Sequence, residues 1–429
     1  MKEEFLHYLW KHKLFFHTQL KTVCGKTIQI KHPGIYNHDA GPDFLQARLI
    51  IDSVEWCGDV EIHLKTSDFF RHKHQKDPAY KKLLLHVVHE HDSCDELNTY
   101  TCEIKDSYDK NLLENYRSIF NQKNALACSG ILAELNSLHW DAWMDRMLRE
   151  RLEKKYRAAA HIFETKQHHH DEALYMLIAS AIGFNINREA FEMLALQTPY
   201  RWLLPYRDNR IQVEAMLMGQ AGQLESGDAD EYILRLQNEY AFLQHKHKLK
   251  KPMNIPWKYL RLRPVNFPCI RLSQFAGLIC RHNRLHDVLV CCKQLDELTD
   301  ALTVKADTYW DTHYLPGKAT HFEEKWLGSE AVQGIILNAI VPYLLLMGVH
   351  QKETSFVQKA YDFIEQLRAE NNKITRYFAD AGKKPKHAGD SQAQKHLYEN
   401  YCMHRKCLQC AVGKKLIATE SNPAIKEHS

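Results

Sequence analysis

Glu61, His63 and Lys65 stand at every second position of "GDVEIHLK", and Asp43 closes a Gly-Pro-Asp turn upstream. Strand side chains alternate between faces, so the three fall on one side of a single strand. An acid, an imidazole and an amine in a row, with a second carboxylate from the neighbouring turn, are the groups that phosphodiester hydrolysis uses. Two carboxylates hold a divalent cation, Mg2+ or Mn2+, which polarises the phosphate and supplies hydroxide. A positive side chain then stabilises the charge that develops. Asp43 and Glu61 are therefore the expected metal ligands, His63 the proton handler and Lys65 the cation, with Glu3 or Glu4 of the first helix in support. The competing reading is a solvent-facing strand on which Glu61 and Lys65 pair with neighbours to little energetic effect.

Histidine is abundant, at 27 residues, and eleven fall within the first 91 positions. "RHKHQKD" carries His72, His74 and Asp77, and "LHVVHEHD" carries His86, His89, His91 and Asp92. Imidazole and carboxylate together suit zinc, manganese or iron. His72 and His74 could close such a site with His86 or His89, or could contact phosphate beside Asp43 and Glu61. Near the C-terminus "YCMHRKCLQC" spaces Cys402, Cys407 and Cys410 as C-x4-C-x2-C, with Cys128 or His404 as a fourth ligand. A zinc ion or an iron–sulfur cluster would fit. The flanking His404, Arg405 and Lys406 are expected to lower the thiol pKa values. Alternatively, the cysteines act as small buried hydrophobes.

The elements that must position these residues are legible in outline. A helix over 3–17 is followed by alternating strands at 26–32, 44–52 and 58–65, a short helix after Lys65 and an apolar strand at 83–92. The order α-β-β-β-α-β defines a small α/β domain over 1–110. Helical periodicity governs the rest, at Trp140, Trp143, Met144 and Met147 and again at Phe356, Ala360, Phe363 and Ile364. The fold class is thus α+β, with an all-α region over 130–429 and a break between lobes near 246–256. An apolar share of 45% supports sizeable cores. A net charge of +4 neither demands nor excludes a polyanion. The start reads as an amphipathic helix and not a signal peptide, so the twelve cysteines are expected to be reduced and the protein cytoplasmic. "IILNAIVPYLLLMG" is interrupted by Asn338 and Pro342 and reads as a buried helix, not a membrane span. Lys246, Lys248, Lys250, Lys251, Lys258, Arg261 and Arg263, interleaved with Trp257 and Tyr259 and followed by Arg271, could track a nucleic-acid backbone and stack bases. A solvated basic face is the plainer alternative.

Two resemblances add to this. Gly41-Pro42-Asp43 with Asp59-Val60-Glu61-Ile62-His63 resembles the paired motifs of the PD-(D/E)XK nuclease superfamily. The resemblance implies a restriction-endonuclease-like core and metal-dependent cleavage of DNA or RNA, with Asp43 and Glu61 as the metal carboxylates. The pattern departs at His63, where a Lys is usual; Lys65 lies one strand repeat further on. Longer stretches, among them "GPDFLQARLIID", "RLRPVNFPCIRLSQFA" and "YCMHRKCLQCAVG", resemble the uncharacterised bacterial domain-of-unknown-function family 2851 over nearly the whole chain, a name that implies no activity. The expected function is a divalent-metal-dependent nuclease, or a decayed relative acting on nucleic acid. The alternative is a non-catalytic nucleic-acid-binding or scaffold protein with a structural cysteine–metal site.

Overall fold

A computed structural model describes the chain except residues 17–19, 38, 94–98, 123, 226–229, 250–253 and 419–429. Lys250 and Lys251 of the basic stretch lie outside the described residues. The chain divides into two compact units. The first comprises Met1–Asp145, Asn372–Lys384 and the chain from Gln394 onward; the second comprises Arg146–Asn371 and Pro385–Ala393.

The first unit is built on a mixed sheet. Its elements are α1 (Glu3–Lys11), β1 (Ile28–His32), β2 (Ile35–Tyr36), β3 (Phe44–Ile51), β4 (Val54–Lys65), α2 (Thr66–Arg71), β5 (Leu83–Glu90), β6 (Tyr100–Glu103) and α3 (Lys110–Asn121). The strand order is β1-β3-β4-β5-β6, with β2 pairing β3. β1, β3 and β4 are antiparallel, whereas β4, β5 and β6 run parallel. β3 and β4 form a hairpin through Asp52 and Ser53, both at positive φ (50° and 71°), as a tight two-residue turn requires. α1 buries Phe5, Leu6, Leu9 and Trp10 completely, each stabilising the fold by about 1.5–3 kcal/mol. Val60 and Ile62 of β4 join that core. β2, β6 and α3 were not legible as elements of this domain.

Two expectations about domain boundaries are corrected. The N-terminal unit does not end near residue 110, because the C-terminal segment packs into its core: Leu408 and Ile417 are buried with the sheet residues, and Asn115 Nδ2 donates to the Ile417 carbonyl at 3.1 Å. Nor does 246–256 separate two lobes, since Leu243, Leu249 and Ile255 share one core of the second unit. In that unit Ser329–Gln351 is a continuous helical stretch, long and apolar enough by length and composition to cross a membrane, yet 78% of its most apolar window is buried. The expected interruption is a π-helical turn, Ile336–Ile340. Pro342 has no N–H to offer the Leu337 carbonyl, and Lys155 Nζ donates to that oxygen instead at 2.8 Å.

Glu214 is fully buried in the second unit and accepts hydrogen bonds from Trp310 Nε1 (2.8 Å), Ser273 Oγ (2.8 Å) and Tyr232 OH (3.1 Å). Burial pushes its carboxyl up to about 6 despite the Trp310 bond. A carboxyl raised on folding makes its stabilising contribution below its unfolded pKa, and that contribution is lost as pH rises through the folded value. Wild-type stability should therefore fall relative to Glu214→Gln between about pH 4.5 and 6, by on the order of 2 kcal/mol. Urea unfolding of both proteins across that range measures it; a pH-independent difference would contradict the assignment.

Candidate active site

Asp43 and Glu61 meet where the β3–β4 ladder ends. β3 begins at Phe44, which pairs with Val60, so the next backbone amide of β4 on that side needs another acceptor. Asp43 Oδ2 accepts it, from Ile62 N at 2.9 Å, and Glu61 Oε2 accepts Asp43 N at 3.1 Å. These two bonds fix both carboxylates. The turn before it is held by Gly41 at φ 111° and by Asn37 Nδ2 donating to the Pro42 carbonyl at 3.0 Å. A bulge follows, with Gln46 at φ 56° and its N–H bonded to Asp59 Oδ1 at 2.9 Å. From α1, His7 Nε2 approaches Asp43 Oδ2 to 3.3 Å.

The second half of the site is an imidazole cluster on the face of β4 opposite the main core. Glu61 and His63 are only 5% and 2% exposed, so the reading of this face as a solvated strand fails. The parallel register sets Glu61 beside His86, and His63 Nδ1 lies 2.9 Å from His86 Nε2. His63 Nε2 lies 3.5 Å from Glu61 Oε1 and 3.3 Å from His72 Nδ1. His74 Nε2 lies 3.4 Å from Glu61 Oε1, and Tyr80 OH donates to the same oxygen at 3.5 Å. Lys73, between the two loop histidines, takes the left-handed conformation (φ 62°) that turns the chain out of α2. Buried Phe69 packs its ring against His63, His74, His86 and Tyr80.

Burial governs the electrostatics. It raises the Glu61 carboxyl to about 8, reinforced by the Asp43 charge, while the Asp43 amide and Tyr80 pull the other way. Glu3 is raised for the same reason, with Asp43 adding to the rise and His7 opposing it. Burial, then the neighbouring His86, His74 and His72, pushes His63 down to about 2, and burial chiefly pushes His86 to about 4. Burial thus favours the neutral form of both Glu61 and His63. Neutral imidazoles with lone pairs to offer, around a carboxyl that a cation would ionise, are metal-binding chemistry. Among the described residues, one group of three such side chains places its ligand atoms within 4.8 Å of one another: His63, His72 and His74.

Asp43, Glu61 and His63 thus come together, as do His72 and His74, which join the imidazole cluster. His72 is exposed and His74 half-buried. Lys65 does not close on the carboxylates: it is half-exposed and its ammonium faces Asp92 Oδ2 at 3.8 Å. Asp77 caps the turn after it through Ala79 N, and His89 falls on the other face of β5, against Tyr108. His7, Tyr80 and Phe69 were missed. His7 carried a usable signal, one helical turn from Glu3; the sequence offers none for Tyr80.

The basic stretch is only partly a surface. Lys258, Arg261 and Arg263 are exposed. Arg271 is a correction: it is buried, bonded to Gln274 Oε1 at 2.8 Å and to Asn266, and stacked on Phe184, so it cannot reach a phosphate backbone. Trp257 and Tyr259 turn inward, to the Ala221 carbonyl and to Gln223, and offer no stacking platform.

The four cysteines lie in the first unit and sense one another. Cys402 is raised by burial and then by Cys128, Cys410 and Cys407; Cys128 is pushed to about 12 by burial, then Cys410 and Cys407. Cys407 rises to about 11 and Cys410 also rises, with burial the main cause in each. The expected lowering by basic neighbours is overturned, because desolvation outweighs Arg405. The turn is tight: a Cβ on Gly413 would lie 2.2 Å from the Cys407 carbonyl oxygen.

The chain matches the family described as "Protein of unknown function (DUF2851)" over residues 3–373 and belongs to that family. The match covers Asp43, Glu61 and the histidine cluster and stops short of Cys402. No curated protein matches significantly. No solved structure does so either.

In chelator-treated native protein, iodoacetamide should label the exposed Cys24 and Cys57 at least about 100-fold faster than Cys128 and Cys402, since the thiolate is the nucleophile. Peptide mass spectrometry over time measures this; equal rates would show that the cysteine cluster is open to solvent.

Proposed function

We propose that the protein is a divalent-metal-dependent phosphodiesterase acting on nucleic acid, with a core related to the restriction-endonuclease-like fold. The observation that carries the reading is the Asp43–Glu61 pair, two carboxylates fixed side by side at the end of a hairpin, Glu61 by the amide of Asp43 and Asp43 by the amide of Ile62. The donor set fits a divalent ion: each carboxylate spends one oxygen on a backbone amide, which leaves Asp43 Oδ1 and Glu61 Oε1 to take a cation. Such an ion, when bound, supplies Lewis acidity and a hydroxide at neutral pH. His63 stands in the place where the superfamily pattern has Lys and brings its imidazole to 3.5 Å from Glu61 Oε1. His7, with Nε2 3.3 Å from Asp43 Oδ2, occupies the position beside the carboxylates that Lys65 does not reach. Lys258, Arg261 and Arg263 are the residues proposed to contact nucleic-acid phosphates, and a cytoplasmic setting suits reduced thiols. Cys128, Cys402, Cys407 and Cys410 are proposed to bind zinc or an iron–sulfur cluster that staples the C-terminal segment to the first unit.

Asp43→Ala and Glu61→Ala should each lower cleavage of single- or double-stranded DNA or RNA, assayed with Mg2+ and with Mn2+, by about 100- to 1,000-fold. Cleavage that survives both substitutions overturns the assignment. Salt-sensitive binding with no turnover in the wild type would favour a non-catalytic nucleic-acid-binding protein instead.

A further inference from the structure

The oxygen pair is not the whole of the site. Glu61 Oε1, the atom left over from the carboxylate pair, is 3.5 Å from His63 Nε2 and 3.4 Å from His74 Nε2, and His63 Nε2 is 3.3 Å from His72 Nδ1. An ion held by bonds of about 2.0–2.1 Å in tetrahedral geometry keeps neighbouring donors about 3.3–3.4 Å apart. Three of the six edges of such a tetrahedron match that spacing, and the ligand atoms of His63, His72 and His74 all lie within 4.8 Å of one another. We propose that Glu61, His63, His72 and His74 form a four-ligand site for a divalent transition ion of the zinc, iron and manganese class, and that Mg2+ is not the ion this site selects.

The chemistry of the donors supports the choice. Mg2+ takes oxygen ligands in near-octahedral geometry and keeps much of its water. Three imidazole nitrogens and one carboxylate oxygen are a set for borderline ions. The second shell is also present. With His63 Nε2 on the ion, its Nδ1 would carry the proton and donate to His86 Nε2, 2.9 Å away, which would fix tautomer and ring orientation. Tyr80 OH reaches Glu61 Oε1, and the Phe69 ring packs against His63 and His74. Glu61 and His63 are buried, His74 is half-buried, and His72 is exposed. That side is where water or a phosphate oxygen would enter the coordination sphere. The inference deepens the phosphodiesterase reading, on which its catalytic meaning rests.

The test uses the full-length, chelator-stripped protein and Co2+ as a spectroscopic probe. Co2+ bound by nitrogen and oxygen gives visible ligand-field bands without the intense near-ultraviolet charge transfer that thiolates produce, so this site and the cysteine cluster are read separately. The wild type should show four-coordinate bands that Zn2+ displaces and Mg2+ does not. His72→Gln combined with His74→Gln should weaken that binding by about 100-fold or more, while leaving unchanged the thiolate signal that Cys402→Ser alone diminishes. The unfolding midpoint of the stripped double variant should match that of the stripped wild type, which separates ligand loss from misfolding. Absence of the nitrogen–oxygen bands in the wild type, or their persistence in the double variant, overturns the inference. Metal bound as expected without nucleic-acid cleavage leaves the inference standing and removes the phosphodiesterase reading. Mg2+-supported cleavage that survives in the double variant does the reverse.

Discussion

The first unit depends on burying both faces of β4. One face, with Val60 and Ile62, does so in the ordinary way. The other carries Glu61 and His63, and α2 with the turns after it closes over them. A carboxyl and imidazoles brought out of water cost several kcal/mol unless they are neutral or well partnered. The molecule meets that cost by neutralising the groups, by a Phe69 hub that packs the rings, and by hydrogen bonds that run from His72 through His63 to His86. A structure that needed only stability would have used apolar residues here. Retaining a costly polar face inside a small unit is the physical argument that the face has a ligand.

The surrounding irregularities have the same address. The left-handed Lys73, the bulge at Gln46 held by Asp59, and the ladder bond taken over by Asp43 all lie next to this face. Lys73 turns the chain between His72 and His74, the Gln46 amide is taken up by Asp59, and Asp43 is fixed beside Glu61. The family match spans them all, whereas the cysteine-rich C-terminal turn lies beyond its end and packs back on the first unit through Leu408 and Ile417.

Much of this was legible in the order of residues. Alternation in "VEIHLK" placed Glu61 and His63 on one face, the Gly-Pro pair marked the Asp43 turn, and the strands containing Ile28, Phe44, Val60 and Leu85 were readable from their periodicity. Lys65 was not: alternation puts it on the same face but cannot reveal that Asp92 would draw its ammonium away at the head of α2. His86 needed the parallel register of β4 and β5, which no local pattern encodes. Arg271 looked like part of a basic stripe because its neighbours are basic; only the packed helix Pro268–Arg281 shows that it is interior. The return of the C-terminal segment was hidden for the same reason, being a contact between residues some 300 positions apart.

The central claim is that the polar face of β4 binds a metal ion and is not merely well-satisfied packing. Anomalous diffraction from crystals soaked in Mn2+ or Zn2+ tests it directly. The account requires an anomalous peak about 2.0–2.2 Å from Glu61 Oε1, flanked by the nitrogens of His63, His72 and His74. Well-ordered side chains at these positions with no peak among them, or with a peak only at the cysteines, would contradict it.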